Sequence, residues 1–222
     1  MTILRHFVED GRSLALRERK GALELVLGNV VLLSSAALET ERRFGALAAD
    51  AMKRPKPRVL VGGLGFGATA RGVLDVAPSD AEVLVVEKLD AVVDIVKNEG
   101  AELAAGVLDD PRIRLVREDV ADVIDRERDL SAILLDVDNG PEWASFRTNA
   151  RLYADAALAR ARDALLAGGI YAVWSGYPAD AFLSRLRRAG FVPRIEPLTE
   201  RGVVRARAYV GVHTAVSRSS HG

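Results

Sequence analysis

The chain of 222 residues carries 31 lysines and arginines and 31 aspartates and glutamates, so it has no net charge that would attract nucleic acid or anionic lipid. It contains no cysteine, which excludes disulfides, thiolate metal sites and a cysteine nucleophile. Its apolar runs are too short for a membrane helix and no signal peptide is recognisable, so we expect a cytoplasmic protein with no membrane or nucleic-acid partner.

The first quarter of the chain has the pattern of a small β-meander followed by a helix. Strands are predicted at residues 13–19, 22–27 and 30–34. Lys20-Gly21 and Gly28-Asn29 separate them, as is typical of hairpin turns. A helical pattern covers 36–52 and ends before Pro55. We therefore predict an N-terminal domain over 1–54 and a second domain over 55–222.

Strands and helices alternate in the second domain. Strands are predicted at 58–61, 82–86, 113–116, 132–135, 170–174, 191–195 and 205–212. Helices are predicted at 69–76, 91–105, 149–166 and 179–189, with Gly168-Gly169 ending the third of them. Buried-type strands alternating with amphipathic helices indicate an α/β fold of the Rossmann-like kind, with a central, mostly parallel sheet covered on both faces.

A glycine-rich turn joins the first of these strands to its helix. Gly63, Gly65 and Gly67 permit a tight turn and a close approach of a ligand to the backbone. The strand before them and the helix after them are the context in which such a turn binds a nucleotide. Ala68 loosely satisfies the dinucleotide fingerprint, so a nicotinamide or flavin cofactor stays open. A sharp turn without a ligand is the other alternative.

Acidic residues follow the next two strands. Glu87 can accept hydrogen bonds from both ribose hydroxyls of an adenosine, or it is an exposed strand end or a helix cap. Asp119 can accept from an adenine amino group beside the apolar Val120, or it caps the helix that follows. Because the carboxyl ends of parallel strands meet at one edge of a sheet, these acids and the glycine turn predict one nucleoside site.

Aromatic residues after strand ends are candidates for contact with a small-molecule substrate. Trp143, in a loop, is the stronger candidate, and Trp174 is expected to lie partly in the core. Tyr177 can cover the same mouth or be an exposed loop residue. The histidines His6, His213 and His221 lack metal-ligand spacing, so no metal is predicted.

These motifs closely resemble the spermidine synthase-like branch of the S-adenosylmethionine-dependent methyltransferase superfamily. The resemblance extends to about residue 196. It covers the glycine turn, Glu87, Asp110-Pro111-Arg112 before Asp119, and the run at 135–141. It implies a small N-terminal β-domain beside a Rossmann-like domain, usually in a homodimer. It also implies that Glu87 holds the ribose and that Asp119 holds the adenine. The glycines, with Phe66 among them as a further cofactor contact, flank the methionine part of S-adenosylmethionine or its decarboxylated form.

The resemblance further assigns the acceptor side of the site. Asp136 stands where the family has an aspartate that accepts a proton from the attacking amine, and a carboxylate can do so because a protonated amine is not nucleophilic. Asp136 could instead cap the loop that follows. Asp138, in the same run, is a candidate substrate contact.

Departures from the family pattern decide which reaction we predict. Phe66 stands where the family has an aspartate beside the cationic tail of decarboxylated S-adenosylmethionine, and the polyamine-binding residues near 30–41 are incomplete. Glu39 or Glu41 could still meet a cationic substrate, although a solvated helix face is the alternative. The main prediction is therefore methyl transfer from intact S-adenosylmethionine to a small amine-bearing or otherwise nucleophilic metabolite. The alternatives are an aminopropyltransferase that uses the decarboxylated donor, and a non-catalytic nucleoside-binding module.

Overall fold

Two β-sheets organise the protein, seen in a computed structural model that describes residues 1–137, 140–142 and 149–214. The N-terminal sheet is antiparallel, with its strands in chain order. Its strands are β1 (Thr2–Glu9), β2 (Arg12–Arg19), β3 (Ala22–Leu27) and β4 (Val30–Ser34). The turn at Lys20-Gly21 has positive φ at both residues, 54° and 78°, as a tight two-residue hairpin requires.

Strand β1 is absent from the predicted elements. Charged residues interrupt its apolar pattern, and all of its side chains except Phe7 and Glu9 are exposed. It lies at the edge of the sheet, where no buried face imposes an alternation of apolar and polar residues. The Asp10-Gly11 turn that follows, with both φ values positive, is the local signal that could have revealed it.

The second sheet has seven strands in the order β10-β11-β9-β8-β5-β6-β7. They are β5 (Arg58–Gly62), β6 (Glu82–Val86), β7 (Ile113–Val116), β8 (Leu130–Leu135), β9 (Leu165–Ser175), β10 (Val192–Glu200) and β11 (Val203–Val212). The pairs among β5 to β9 are parallel, whereas β11 and β10 are antiparallel additions at one edge. The predicted α/β fold with a mostly parallel sheet and an N-terminal meander is confirmed.

Helices cover both faces of this sheet. They are α1 (Leu38–Ala46), α2 (Ala68–Leu74), α3 (Asp90–Lys97), α4 (Ala101–Ala104), α5 (Val120–Arg126), α6 (Asp155–Ala164) and α7 (Ala181–Arg188). Successive strand residues contribute to opposite cores, because side chains alternate across a strand. Val59 and Val61 join the cluster that includes Phe44 of α1, whereas Leu60 joins the cluster that includes Leu158 of α6.

Three predicted helices end differently in the structure. The helix predicted at 36–52 is α1 with a short 3₁₀ turn at each end, and the one predicted at 91–105 is divided into α3 and α4. The one predicted at 149–166 is a 3₁₀ turn followed by α6. Gly168 and Gly169 do not end a helix but lie within β9. Their backbone groups form hydrogen bonds with those of His213, which directly follows β11.

Helix α1 packs closely against α2. A Cβ atom on Gly45 would lie 2.0 Å from the carbonyl oxygen of Thr69, and one on Gly72 would lie 1.9 Å from that of Arg42. The two backbones are therefore in direct contact. Residues on both sides of the predicted boundary at 54 share one hydrophobic cluster, which contains Leu16 and Leu25 as well as the α1–α2 contact.

None of the helices in the described part of the chain has the length and apolar character that a bilayer crossing requires. Within the same ranges, no three histidine or carboxylate side chains cluster in a way that could hold a metal ion.

Candidate functional site

A cavity of about 380 Å³ lies beyond the carboxyl ends of the parallel strands. Strand β5 pairs with β6 on one side and with β8 on the other, so the chain changes direction across the sheet at this point. Open α/β sheets bind their ligands at such switch points, and this volume suits a small molecule. Strand β4 of the N-terminal sheet also lines the cavity, through Val31, Leu32 and Leu33.

The glycine turn after β5 has two separate functions. Gly63 has a φ of +92°, and a Cβ atom there would lie 2.2 Å from the carbonyl oxygen of Asp136. Gly65 has a φ of +53°, and a Cβ atom there would have only the side chains of Leu33 and Glu41 within reach, at 3.6 and 4.0 Å. Gly63 thus lets β5 and β8 end side by side, whereas Gly65 leaves room in the cavity for a ligand.

Two predicted contacts of the glycine turn face away from the cavity. The Phe66 side chain is fully buried in the hydrophobic core, where its ring packs on Gly100. Gly67 is the N-cap residue that precedes α2, and a Cβ atom there would lie 2.7 Å from Val107. Phe66 and Gly67, both predicted to contact the cofactor, thus do not line the cavity: the Phe66 side chain lies in the core, and Gly67 allows close packing on Val107. The turn brings Gly65 to the cavity wall and directs residue 66 into the core.

Glu87 lines the cavity directly after β6. Its Oε2 accepts from the backbone N–H of Leu64 at 3.1 Å and its Oε1 from that of Leu89 at 2.8 Å. Burial raises the pKa of the Glu87 carboxyl, and these hydrogen bonds act in the opposite direction. Each carboxylate oxygen can accept a second hydrogen bond, so both remain available to ligand hydroxyls.

Asp119 caps a helix and lines the cavity at the same time. Its Oδ1 accepts from the backbone N–H of Ala121 at 3.0 Å, which caps α5. Its Oδ2 accepts from the Arg151 guanidinium at 2.6 Å, and the Lys88 ammonium lies 3.6 Å away. Val120 lies beside it on the cavity wall. The cap that the sequence offered as one alternative is present, and the adenine contact stays a prediction.

Asp136 is half-buried directly after β8. Its Oδ2 accepts a hydrogen bond of 2.6 Å from the Thr69 hydroxyl, and its backbone N–H donates to Gly62 at 2.8 Å. Burial raises the pKa of Asp136 to about 6, and the Thr69 hydrogen bond opposes that rise. A carboxyl group that titrates near neutral pH in a ligand cavity is well placed to exchange a proton with what binds there.

Glu41 is the second acid of this part of the cavity. Because α1 and α2 are in backbone contact, the carbonyl oxygen of Glu41 lies 3.3 Å from the Thr69 hydroxyl. Burial raises the pKa of Glu41 well above its usual value, and the charge of Asp136 raises it further. Among the residues that the structure describes, no basic side chain forms an ion pair with Glu41 or Asp136. The cavity therefore presents an acidic pair that a cationic ligand would neutralise.

Two aromatic residues complete the described wall. Trp174 lines the cavity while only 8% exposed, and its indole N–H donates to the Thr40 hydroxyl at 3.3 Å. Tyr177 also lines the cavity and is half exposed, at 49%. The predicted substrate contacts Asp138 and Trp143 lie outside the described residues.

Among known proteins, this chain is similar to solved structures only at the level of three-dimensional structure. No protein-family model matches the chain, and no curated protein does. A solved spermidine synthase in complex with the transition-state analogue AdoDATO is 16% identical, with a TM-score of 0.73 over 96% of this chain and 72% of that one. The spermidine synthase from Thermotoga maritima is 17% identical, with a TM-score of 0.74 over 96% of this chain and 73% of that one.

A third solved structure is similar over a larger share of its own length. The probable spermidine synthase from Corynebacterium glutamicum is 19% identical, with a TM-score of 0.62 over 96% of this chain and 81% of that one. The chain has the spermidine synthase fold. The resemblance predicted from the sequence motifs is thus confirmed at the level of the fold, and it includes the N-terminal sheet.

Some lining residues of this spermidine synthase fold were not among the predicted contacts. Leu33 and Lys88 line the cavity but were not singled out, and Glu41 was only one of two candidates. Thr69, whose hydroxyl donates to the cavity residue Asp136, was not predicted either. Lys88 directly follows Glu87 and Thr69 lies two residues after Gly67, which is the signal that could have found them. Leu33 and Glu41 carry no such local signal, because their place depends on how the N-terminal sheet and α1 pack on α2.

The Thr69 hydroxyl is expected to lower the pKa of Asp136 against the effect of burial. A hydrogen bond to a charged group contributes about 1.5–3 kcal/mol, and about 1.4 kcal/mol corresponds to one pKa unit. Thr69→Val keeps the side-chain shape but removes the donor, so the pKa of Asp136 should rise by about one to two units from about 6. Carbon-13 NMR titration of the Asp136 carboxyl measures this shift. Thr69→Ser is the matched control, and an unchanged pKa in the valine variant would contradict the assignment.

Proposed function

We propose that the chain is a transferase that moves the aminopropyl group of decarboxylated S-adenosylmethionine to an amine. The observation that carries this proposal is the acidic pair, Glu41 and Asp136, which lies without a described counter-ion beside the glycine turn. The spermidine synthase fold supports it, and one similar structure was solved with a transition-state analogue of its own reaction.

The nucleoside part of this donor suits the residues on the other side of the cavity. Glu87 can accept from ribose hydroxyls through lone pairs that its backbone partners leave free. Asp119 can accept from an amino group of the base, and Val120 offers an apolar contact to its ring. The open space at Gly65 lets the rest of the molecule approach the backbone. When bound, such a donor supplies a sulfonium whose carbon–sulfur bond is readily broken.

The charge of the acidic pair favours the decarboxylated donor. Intact S-adenosylmethionine carries a carboxylate next to its ammonium, and that negative charge would oppose the ionisation of Glu41 and Asp136, whose pKa values burial already raises, in a site of low dielectric. The decarboxylated molecule carries only positive charges. The prediction of methyl transfer rested on Phe66 and on the incomplete polyamine-binding residues near 30–41. The Phe66 side chain lies in the core, so that residue no longer argues for the intact donor.

Asp136 is the residue that we assign to proton transfer. An amine attacks only when its nitrogen lone pair is free. Asp136 takes up the proton that the amine loses as its nitrogen bonds to carbon and the carbon–sulfur bond breaks, leaving a neutral thioether. A carboxyl group with a pKa near 6 is largely ionised at neutral pH and is a stronger base than an ordinary aspartate.

Calorimetric titration with intact and decarboxylated S-adenosylmethionine tests the proposal. We expect the decarboxylated form to bind at least about tenfold more tightly, because one charge repulsion at the pair is worth about 1.4 kcal/mol or more. Glu41→Gln should reduce that preference by about tenfold. Glu39→Gln is the matched control on the same helix, since Glu39 is paired with Arg43 at the surface and should leave the preference unchanged.

The other outcomes would support other functions. Tighter binding of the intact donor would restore methyl transfer as the leading function. Binding without turnover of any amine would indicate a non-catalytic nucleoside-binding module. If neither form bound at millimolar concentration, the proposal would be wrong. The expected homodimer and the cytoplasmic location stay predictions.

A further inference from the structure

The loop that follows β9 forms the wall of the cavity opposite the nucleoside residues. Glu87 and Asp119 follow β6 and β7 at one side of the sheet, whereas Tyr177 comes two residues after β9 at the other. Asp136, which follows β8, lies between them. Because the nucleoside of the donor takes the side of β6 and β7, an acceptor whose amine meets Asp136 extends toward Tyr177.

Hydrogen bonds fix this loop, residues 176–180, near both of its ends. At its start, the Ser175 hydroxyl donates to the backbone carbonyl oxygen of Tyr177 at 2.6 Å. At its end, the backbone N–H of Ala179 donates to the hydroxyl of Tyr209 at 2.5 Å. The same hydroxyl donates to Oδ1 of Asp180 at 3.0 Å. Tyr209 thus joins two consecutive residues of the loop to the sheet.

The position of Tyr209 is set by the sheet and by α7. It lies on β11, where it is paired with Val173 of β9, and it is fully buried. Its ring meets that of Phe182 on α7 edge-on, with the ring centroids 6.3 Å apart. A hydroxyl on a ring packed in this way is a fixed anchor for the loop. Because Tyr177 is half exposed, burial alone does not hold its side chain over the cavity.

We infer that Tyr209 is a positioning residue for the acceptor, since its hydroxyl holds the 176–180 loop where Tyr177 covers the acceptor side of the cavity. The inference rests on the proposed aminopropyl transfer and adds to it a residue that is not part of the cavity lining. Without the hydroxyl, the loop populates other positions. Acceptor affinity then falls in proportion to the fraction of molecules in which Tyr177 is in place.

Tyr209→Phe tests this inference, because it removes the hydroxyl and keeps the ring. Decarboxylated S-adenosylmethionine is the donor, and the acceptor is whichever of butylamine, 1,3-diaminopropane and 1,4-diaminobutane the wild type uses fastest. We expect KM for the acceptor to rise by at least about tenfold, the effect of losing one hydrogen bond to a backbone group and one to a carboxylate. The value of kcat should change by less than about twofold, since Asp136 is untouched. Donor affinity, measured by calorimetry, should stay the same.

A double-mutant cycle with Tyr177→Ala distinguishes positioning from a general loss of structure. Tyr177→Ala should itself raise KM for the acceptor, and Tyr209→Phe should then have little further effect. If Tyr209 acted only on overall stability, it would raise KM by the same factor in both backgrounds. Tyr171→Phe is the matched control and should leave KM unchanged. Tyr171 is also buried in this sheet, and its hydroxyl has no hydrogen-bond partner within the described part of the chain.

The possible failures are distinguishable. An unchanged acceptor KM in Tyr209→Phe, or equal factors in the two backgrounds, would overturn the inference and leave aminopropyl transfer standing. Should Tyr209→Phe not fold, Asp180→Ala removes one partner of the hydroxyl at an exposed position. Its acceptor KM should rise by about threefold or more, and an unchanged value would contradict the inference. If the donor binds but none of the three amines is turned over, the proposed function is wrong and the inference with it.

Discussion

Replacing Asp136 with asparagine is expected to lower kcat by about 10²–10⁴-fold, the usual contribution of a general base. The asparagine keeps the size of the side chain, and its amide oxygen can still accept from the Thr69 hydroxyl. It cannot take a proton from the attacking amine. Donor affinity should change much less than turnover, because Glu87, Asp119 and Glu41 remain in place.

Steady-state kinetics and donor calorimetry on the same preparation measure both quantities. Asp163→Asn is the matched control, because Asp163 is an exposed residue of α6 outside the cavity. Unchanged turnover in Asp136→Asn would remove Asp136 from the mechanism.

In the wild type, kcat should fall as the pH drops through about 6, because the protonated carboxyl can no longer accept a proton. That limb should be lost in the asparagine variant.

Alanine at Gly63 should chiefly lower stability, whereas alanine at Gly65 should chiefly lower donor affinity. At Gly63 the new methyl group would lie 2.2 Å from the backbone oxygen of Asp136, with a positive φ in addition. The two costs together amount to about 3 kcal/mol or more, which corresponds to a fall in Tm of about 6–12 °C for a chain of this size. Turnover should fall as well, because the end of β8 must move.

At Gly65 the methyl group has space within the protein, at 3.6 Å from Leu33 and 4.0 Å from Glu41. Only the strain of a positive φ remains, about 1 kcal/mol, so Tm should fall by about 2–4 °C. The methyl group projects into the cavity, and donor affinity should fall by at least about tenfold. Thermal unfolding and donor calorimetry compare the two variants. Equal losses of Tm, or full donor affinity in Gly65→Ala, would contradict these separate functions.

Much of the fold could be predicted from the sequence, because short local patterns indicate its strands and turns. Each of the strands β5, β6 and β8 is a short apolar run, as a strand buried on both faces requires. The glycine turn and Glu87 each adjoin such a run. Parallel strands bring their carboxyl ends to one edge, so local assignments were enough to gather these residues at one cavity.

The sequence by itself determined the class of fold, the glycine turn and the acids at the strand ends, because each follows from a short pattern and from the geometry of a parallel sheet. Only the tertiary structure decided that Gly65 and not Phe66 lines the cavity, since this depends on the backbone angles of the turn. It also decided that Glu41 joins Asp136. Their meeting requires α1 and α2 to cross in backbone contact at Gly45 and Gly72, a packing interaction between segments distant in the chain that no local pattern encodes.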